Sequence, residues 1–277
     1  MVRYLVSPNC SDFGQPNMDL NIFPDGDSYI RIFEKNPDIV VHRLYPKQNT
    51  ALFCSFLFIN SLGKKVEMIS PYLPYSRQDK IFAEGEIKSS ELVCQFLKQA
   101  GVSKLTTFDC HFLKKEGEFE YAGLKIKNIS MAKALISHAQ EKFGEIEVIS
   151  PDQGASYMAQ DGKHMNKIRG SYKEGEHNLD EGAREIQREV DVLDSDFDVK
   201  NKSVLIIDDM ISGGGTMIKA IENVKKHGAK KVICAATHGF FLKDSFQKLS
   251  KLTDYLFVSD SIPTNVSKVS VWNYIKK

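Results

Sequence analysis

The stretch VLIIDDMISGGGTM, Val204 to Met217, sets two adjacent carboxylates, Asp208 and Asp209, straight after an apolar run. Neighbouring acids at a strand end are costly unless they meet a cation or sugar hydroxyls. Ser212, then Gly213, Gly214 and Gly215, then Thr216 open the helix that follows. Glycines let backbone N–H groups close around a phosphate at a helix N-terminus. A plain solvated turn is the alternative, but strand, acid pair, glycines and helix all agree. No Gly-Lys-Ser/Thr is present in this stretch, so a conventional kinase phosphate loop is disfavoured.

Other segments carry weaker signals of the same kind. In ISPYLPYSRQDK, Ile69 to Lys80, two prolines stiffen a run that leads to Arg77, Gln78 and Asp79. Arginine takes phosphate bidentately, and glutamine and aspartate read a base or a ribose. Alone, such a charge cluster is more often a solvated loop. Asp109 and His111 close the apolar run ending in FDCH, and Asp152 follows another in VISPDQGA. A neutral histidine and a carboxylate at strand ends suit Mg2+ already held by triphosphate oxygens. FPDGD, with Phe23, Asp25 and Asp27, reads first as a turn.

The elements that must position these residues alternate in type. Apolar, β-rich runs lie at Arg3–Val6, Val66–Ile69, Leu105–Phe108, Glu147–Ile149, Val204–Ile207 and Lys231–Ala235. Helical periodicity runs over Ser89–Ala100, stopped by Gly101, and over Thr216–His227, followed by Gly228. KQAGVSKLTTFDCH and KKHGAKKVICAATHG repeat one order: helix, glycine, lysine-bearing turn, apolar strand, histidine. The alternation predicts an α/β fold with mainly parallel sheets flanked by helices, whose ligands sit beyond the carboxyl ends of the strands.

Composition narrows the function. The 277 residues are 42% hydrophobic, with 37 basic against 36 acidic residues and a formal net charge of +1. That balance lacks the basic excess of a nucleic-acid binder, so any nucleotide is expected as a small molecule in a pocket. Cys10, Cys54, Cys94, Cys110 and Cys234 form no close pair and read as buried free thiols in a reducing compartment. No signal-peptide pattern opens the chain, and the apolar run Ala51–Ile59 is too short for a membrane span of about 20 residues. The expected location is cytoplasmic, with no membrane partner.

Taken in order, these segments resemble the ribose-phosphate pyrophosphokinase (phosphoribosyl pyrophosphate synthetase) family. The likeness spans nearly the whole chain and is closest over PYLPYSRQDKIFAEGEIKSSELVCQFLKQAG, Pro71 to Gly101. It implies two tandem phosphoribosyltransferase-like domains: residues 1–128 on the ATP side and 129–277 on the ribose-phosphate side, with the last strand returning to the first domain. Phe23, Asp25 and Asp27 would then contact ATP in a neighbouring subunit of a homo-oligomer, while Arg77, Gln78 and Asp79 hold the nucleotide in their own. His111 and Asp152 would ligate Mg2+. Asp208 and Asp209 would bind the ribose hydroxyls, with Ser212, Gly213, Gly214, Gly215 and Thr216 around the 5-phosphate. Lys167 and Arg169 match a Lys-x-Arg pair on a mobile loop and, with His111, would neutralise charge as pyrophosphate passes from ATP to the ribose 1-hydroxyl.

The chain departs from the family pattern on the acceptor side. Gly213 stands where the family usually has a threonine, and Gly170 to Lys202 is a long polar stretch in which KEGEHNLDEGAREIQREV is expected to form a helix. A barer loop leaves room for a ribose larger at its 5-position, with ADP-ribose, and hence NAD-related metabolism, as the alternative to ribose 5-phosphate. A phosphoribosyltransferase or an inactive regulatory homologue are the remaining readings.

Overall fold

A computed structural model describes residues 2–159, 163–165, 167–178, 183–192 and 198–275; for 167–178 and 183–192 the description is of the backbone. The chain divides into two compact units: Met1–Met131 with Ser270–Lys277, and Ala132–Val269.

The first unit is built on a sheet of β1 (Tyr4–Val6), β4 (Ile39–Val41), β5 (Val66–Ile69), β6 (Val102–Phe108), β8 (Leu124–Ile129) and β7 (Gly117–Tyr121), in that spatial order. Every neighbouring pair is parallel except β7 with β8. The inner strands are nearly continuous in apolar residues because a parallel sheet is covered on both faces. β7 is the edge strand and alternates between half-buried and exposed positions. Helices α1 (Gln48–Ser61) and α2 (Ser89–Ala100) pack with the sheet around Leu5, Val40, Phe58, Met68, Leu97 and Leu105. α2 begins and ends where the sequence places it. Gly101 stops it at φ 116°, where an added Cβ would lie 3.2 Å from the Lys64 carbonyl oxygen. A separate hairpin, β2 (Met18–Ile22) and β3 (Ser28–Ile32), rests on α1.

In the second unit, β9 (Glu147–Ile149), β12 (Ser203–Ile211), β13 (Lys231–Gly239), β14 (Tyr255–Ser259) and β15 (Ser267–Val269) form an all-parallel sheet ordered β15-β14-β13-β12-β9. Helices α3 (Ala132–Phe143), α4 (Gly215–Lys226) and α5 (Ser245–Leu252) complete it. Both units are mainly parallel α/β, as the alternation predicts.

Three expectations need correction. The stretch expected to be a helix is instead an antiparallel ribbon, β10 (Lys167–Asn178) with β11 (Ala183–Val192), running from Lys167 opposite Val192 to Asn178 opposite Ala183. Ile186 and Val190 stand four apart, a spacing that fits a helical face and a strand face alike. Pairing with β10, the strand just before it in the chain, decides between them. Lys167 and Arg169 consequently open a strand rather than a loop. The last strand, β15, stays in the second sheet; what joins the first unit is a short 3-10 turn, Val271–Tyr274.

Candidate active site

In the second unit the acid pair lies inside a strand, not after one. β12 continues past Ile207 because pairing with β13 persists, with Asp208 beside Ala236, Met210 beside His238 and Ile211 beside Gly239. Asp209 is buried, and its N–H donates to Asp208 Oδ1 at 2.8 Å. Burial, with the Asp209 and Asp152 carboxylates close by, pushes the Asp208 carboxyl well above the usual carboxylate range. Asp152 follows β9 in extended conformation, and its Oδ1 accepts from the Gly154 N–H at 2.6 Å. Three carboxylates that raise one another's charging cost are arranged for a cation or for hydroxyl donors.

The three glycines differ in what the backbone asks of them. Gly214 sits at φ 76° immediately before α4, where a Cβ would come 3.1 Å from Ser245 Cβ. Only glycine fits there without strain. Gly213 and Gly215 have ordinary φ and open space around the Cβ position. They leave an uncovered run of backbone at the helix N-terminus, the geometry that receives an anion. The segment after β13 braces this loop: the Ser212 carbonyl accepts from the Leu242 N–H at 3.1 Å and from Ser245 Oγ at 3.4 Å. Sequence reasoning missed Leu242 and Ser245, because no local pattern announces a contact made across two strands. Thr216 is half-buried in the first turn of α4. Lys167 and Arg169 lie on β10, but their side chains are outside the described residues.

In the first unit, His111 is half-buried just beyond β6. Buried Asp109, at φ 33°, accepts from the Met131 N–H at 2.8 Å, and Asn128 Oδ1 accepts from the Cys110 N–H at 2.8 Å. Asp109 therefore fixes the turn that presents His111. Arg77 is exposed and Asp79 half-buried in the segment between β5 and α2. Gln78 is tied down: its side-chain oxygen accepts from Ser89 Oγ, and its carbonyl from Ser90 N–H at 3.3 Å and Ser90 Oγ at 3.1 Å. It anchors the start of α2, holding Arg77 and Asp79 in place. Phe23, Asp25 and Asp27 form the exposed tip of the β2–β3 hairpin. The Asp25 carboxylate accepts from the Asp27 N–H at 3.1 Å, Gly26 takes φ 97°, and Phe23 packs edge-on to Tyr29.

Mg2+ fits this donor set as an ion shared with a bound phosphate chain. Among the described residues no three His, Cys, Asp or Glu side chains form a ready metal cage. Mg2+ is commonly held by one or two carboxylates together with substrate phosphates, and crowded Asp152, Asp208 and Asp209 offer such carboxylates.

Fold and site define a phosphoribosyltransferase-type α/β protein: residues 125–272 match the model of the phosphoribosyl transferase domain, and residues 10–101 that of the N-terminal domain of ribose phosphate pyrophosphokinase. The ribose-phosphate pyrophosphokinase of Pyrococcus abyssi is 37% identical over 268 residues, covering 94% of this chain and 90% of that protein. Its counterpart in Pyrococcus furiosus is 38% identical over 262 residues, covering 92% and 89%. The crystal structure of phosphoribosylpyrophosphate synthetase from Mycobacterium smegmatis superposes with a TM-score of 0.77 at 23% identity, covering 99% of this chain and 96% of that one. The chain belongs to the ribose-phosphate pyrophosphokinase family and is an enzyme of the transferase class. Among the described residues no helix is long and apolar enough to cross a membrane.

Proposed function

We propose that this enzyme transfers the β,γ-pyrophosphoryl group of MgATP to the 1-hydroxyl of ribose 5-phosphate, giving phosphoribosyl pyrophosphate and AMP. The observation that carries the reading is the acid pair of β12 running into a bare glycine loop at the start of α4, with Asp152 beside it. Asp208 and Asp209 accept hydrogen bonds from the ribose 2- and 3-hydroxyls and orient the 1-hydroxyl. Backbone amides of Ser212 to Thr216 hold the 5-phosphate. The exposed Arg77 guanidinium and Asp79 hold the nucleotide, and the hairpin tip of Phe23, Asp25 and Asp27 reaches the nucleotide of a neighbouring copy in a homo-oligomer. His111 and Asp152 would hold Mg2+ together with ATP, and the ion would supply neutralisation of phosphate charge. Lys167, Arg169 and His111 stabilise the charge that develops as the 1-hydroxyl attacks the β-phosphorus in line and AMP leaves. Relatives named for ribose-phosphate chemistry along nine-tenths of the chain support ribose 5-phosphate over ADP-ribose as acceptor.

The test is AMP release from MgATP with ribose 5-phosphate and ADP-ribose supplied separately, alongside an Asp208→Ala variant. AMP with ribose 5-phosphate, lost in the variant, is the expected result. AMP with ADP-ribose alone would replace the acceptor, and release of neither would refute the assignment.

A further inference from the structure

Three neighbouring positions of the glycine loop, Gly213, Gly214 and Gly215, have no side chain to offer a phosphate. A sugar phosphate brings about two negative charges, and the Asp208 and Asp209 carboxylates stand just upstream. Such a dianion calls for a cation, and Ser212 to Thr216 holds none. A second segment lies against the loop. After β13 the chain turns back over the end of β12: the Phe240 and Phe241 N–H groups both donate to the Ile211 carbonyl, at 2.9 and 3.3 Å. Leu242 N–H and Ser245 Oγ donate to the Ser212 carbonyl at 3.1 and 3.4 Å. Within this strap Phe241 sits at φ 50° and Lys243 at φ 56°. Left-handed backbone is costly for any residue with a Cβ. At Phe241 burial offsets the cost, for its ring packs edge-on to Phe246 at 5.5 Å and joins the core of the second unit. Lys243 is exposed and has no such offset. Strain of that kind gathers where a side chain has to be aimed at a ligand.

We propose that Lys243 is a phosphate-binding residue, its ammonium closing the open side of the glycine loop and pairing with the 5-phosphate of the acceptor. This role rests on the function proposed above, which puts the 5-phosphate at this loop. Lys243 lies one residue past the Leu242–Ser212 hydrogen bond, about 3.8 Å further along the chain. Its flexible four-carbon stem is long enough to bring the ammonium over Gly213. The neighbouring acid, Asp244, is paired with Lys248 at 2.9 Å, so its charge is already met from α5. Backbone amides from one segment and a cation from the other then enclose the phosphate, with Gly213 and Gly215 leaving the space between them clear.

The experiment is titration calorimetry of ribose 5-phosphate into the full chain, with Mg2+ and a non-hydrolysable ATP analogue present. Wild type is compared with Lys243→Gln, Lys243→Arg, Lys243→Gly and, as control, Lys251→Gln in the last turn of α5. Losing one charge-assisted contact to the phosphate should weaken binding about tenfold or more in Lys243→Gln and Lys243→Gly. Lys243→Arg should stay close to wild type, since arginine also pairs with phosphate, and the control should not change. Glycine takes left-handed backbone without strain, so Lys243→Gly should melt no lower than wild type while binding poorly; a merely structural lysine would not separate the two. Turnover should show a raised KM for ribose 5-phosphate, with kcat and the KM for ATP near wild type. Undiminished affinity in Lys243→Gln, or an equal loss in Lys251→Gln, overturns the proposal. Should Lys243→Gln unfold, Lys243→Gly carries the measurement with the same outcomes. AMP release from MgATP is scored separately. Weakened binding in the variants, with no AMP released by wild type, would refute the function alone. AMP release with variant affinities equal to wild type would refute the role of Lys243 alone, and a wild type that does not bind ribose 5-phosphate overturns both.

Discussion

His42 follows β4 and is fully enclosed: its Nδ1 meets Ser7 Oγ at 2.9 Å and its ring lies edge-on to Phe58. Burial pushes its pKa from 6.5 down to about 4. The unfolded chain therefore takes up a proton near pH 6.5 that the folded chain refuses until about pH 4. The contribution of neutral His42 is complete above pH 6.5 and fades as pH falls through that window, by on the order of 3 kcal/mol in full. Urea melts at pH 7.5 and 4.5 should show this loss, and His42→Leu should shrink it. An unchanged difference would assign acid sensitivity to other groups. At the glycine loop, Gly213→Thr should fold as wild type, because its φ is ordinary and its Cβ position open. An added hydroxyl donor to the 5-phosphate, worth about 1.5–3 kcal/mol, should lower the KM for ribose 5-phosphate about tenfold or more at similar kcat. Gly214→Ala should behave oppositely, losing about 1–3 kcal/mol of stability to left-handed strain and the contact with Ser245.

At the scale of elements, the β2–β3 hairpin carries its chemistry at an exposed tip and its stability elsewhere. Met18 is buried at the start of β2, and Leu20, Ile30 and Ile32 pack against the first unit's core, whereas Asp25 and Asp27 face outward. Asp27→Ala should leave melting unchanged within about 0.5 kcal/mol while raising the KM for ATP. Equal effects on ATP and on the acceptor would remove the hairpin from the nucleotide site. Much of this level was legible beforehand. Val66–Ile69, Glu147–Ile149 and Ser89–Ala100 form where their periodicity puts them, since each has a single period and a clear stop. The β10–β11 ribbon was not legible, because residues spaced four apart satisfy both periods and only the pairing of the two strands decides between them.

At the scale of the whole molecule, the end of the chain closes the first unit. Trp272 Nε1 donates to Asp12 Oδ2 at 2.7 Å, and Arg43 donates to both Asp12 oxygens at 2.6 and 2.7 Å while lying over the Trp272 ring. Partial burial works against the Asp12 charge, but the hydrogen bonds from Arg43 and Trp272 prevail and hold its carboxyl below the ordinary range. Trp272→Ala should cost about 3–5 kcal/mol, through the lost ring and a weakened Asp12–Arg43 pair. Hydrogen exchange should show the loss in β1 and β4 and spare β12 and β13. Loss spread evenly over all four strands would mean that the two units unfold together.

Local order in the chain determined where strands and helices alternate, and therefore that chemistry would gather after apolar runs. The acid pair, the glycines and His111 stood out for that reason, but that β12 runs on through Asp208 and Asp209 was decided by its pairing with β13. Tertiary structure alone decided that Asp152 crowds Asp208, that Gly214 must be glycine while Gly213 need not be, that Gln78 serves α2, and that Trp272 belongs to the first unit. Each depends on a partner brought close by sheet pairing or packing, and the energy of such a contact is set by distance and burial, which sequence spacing does not encode.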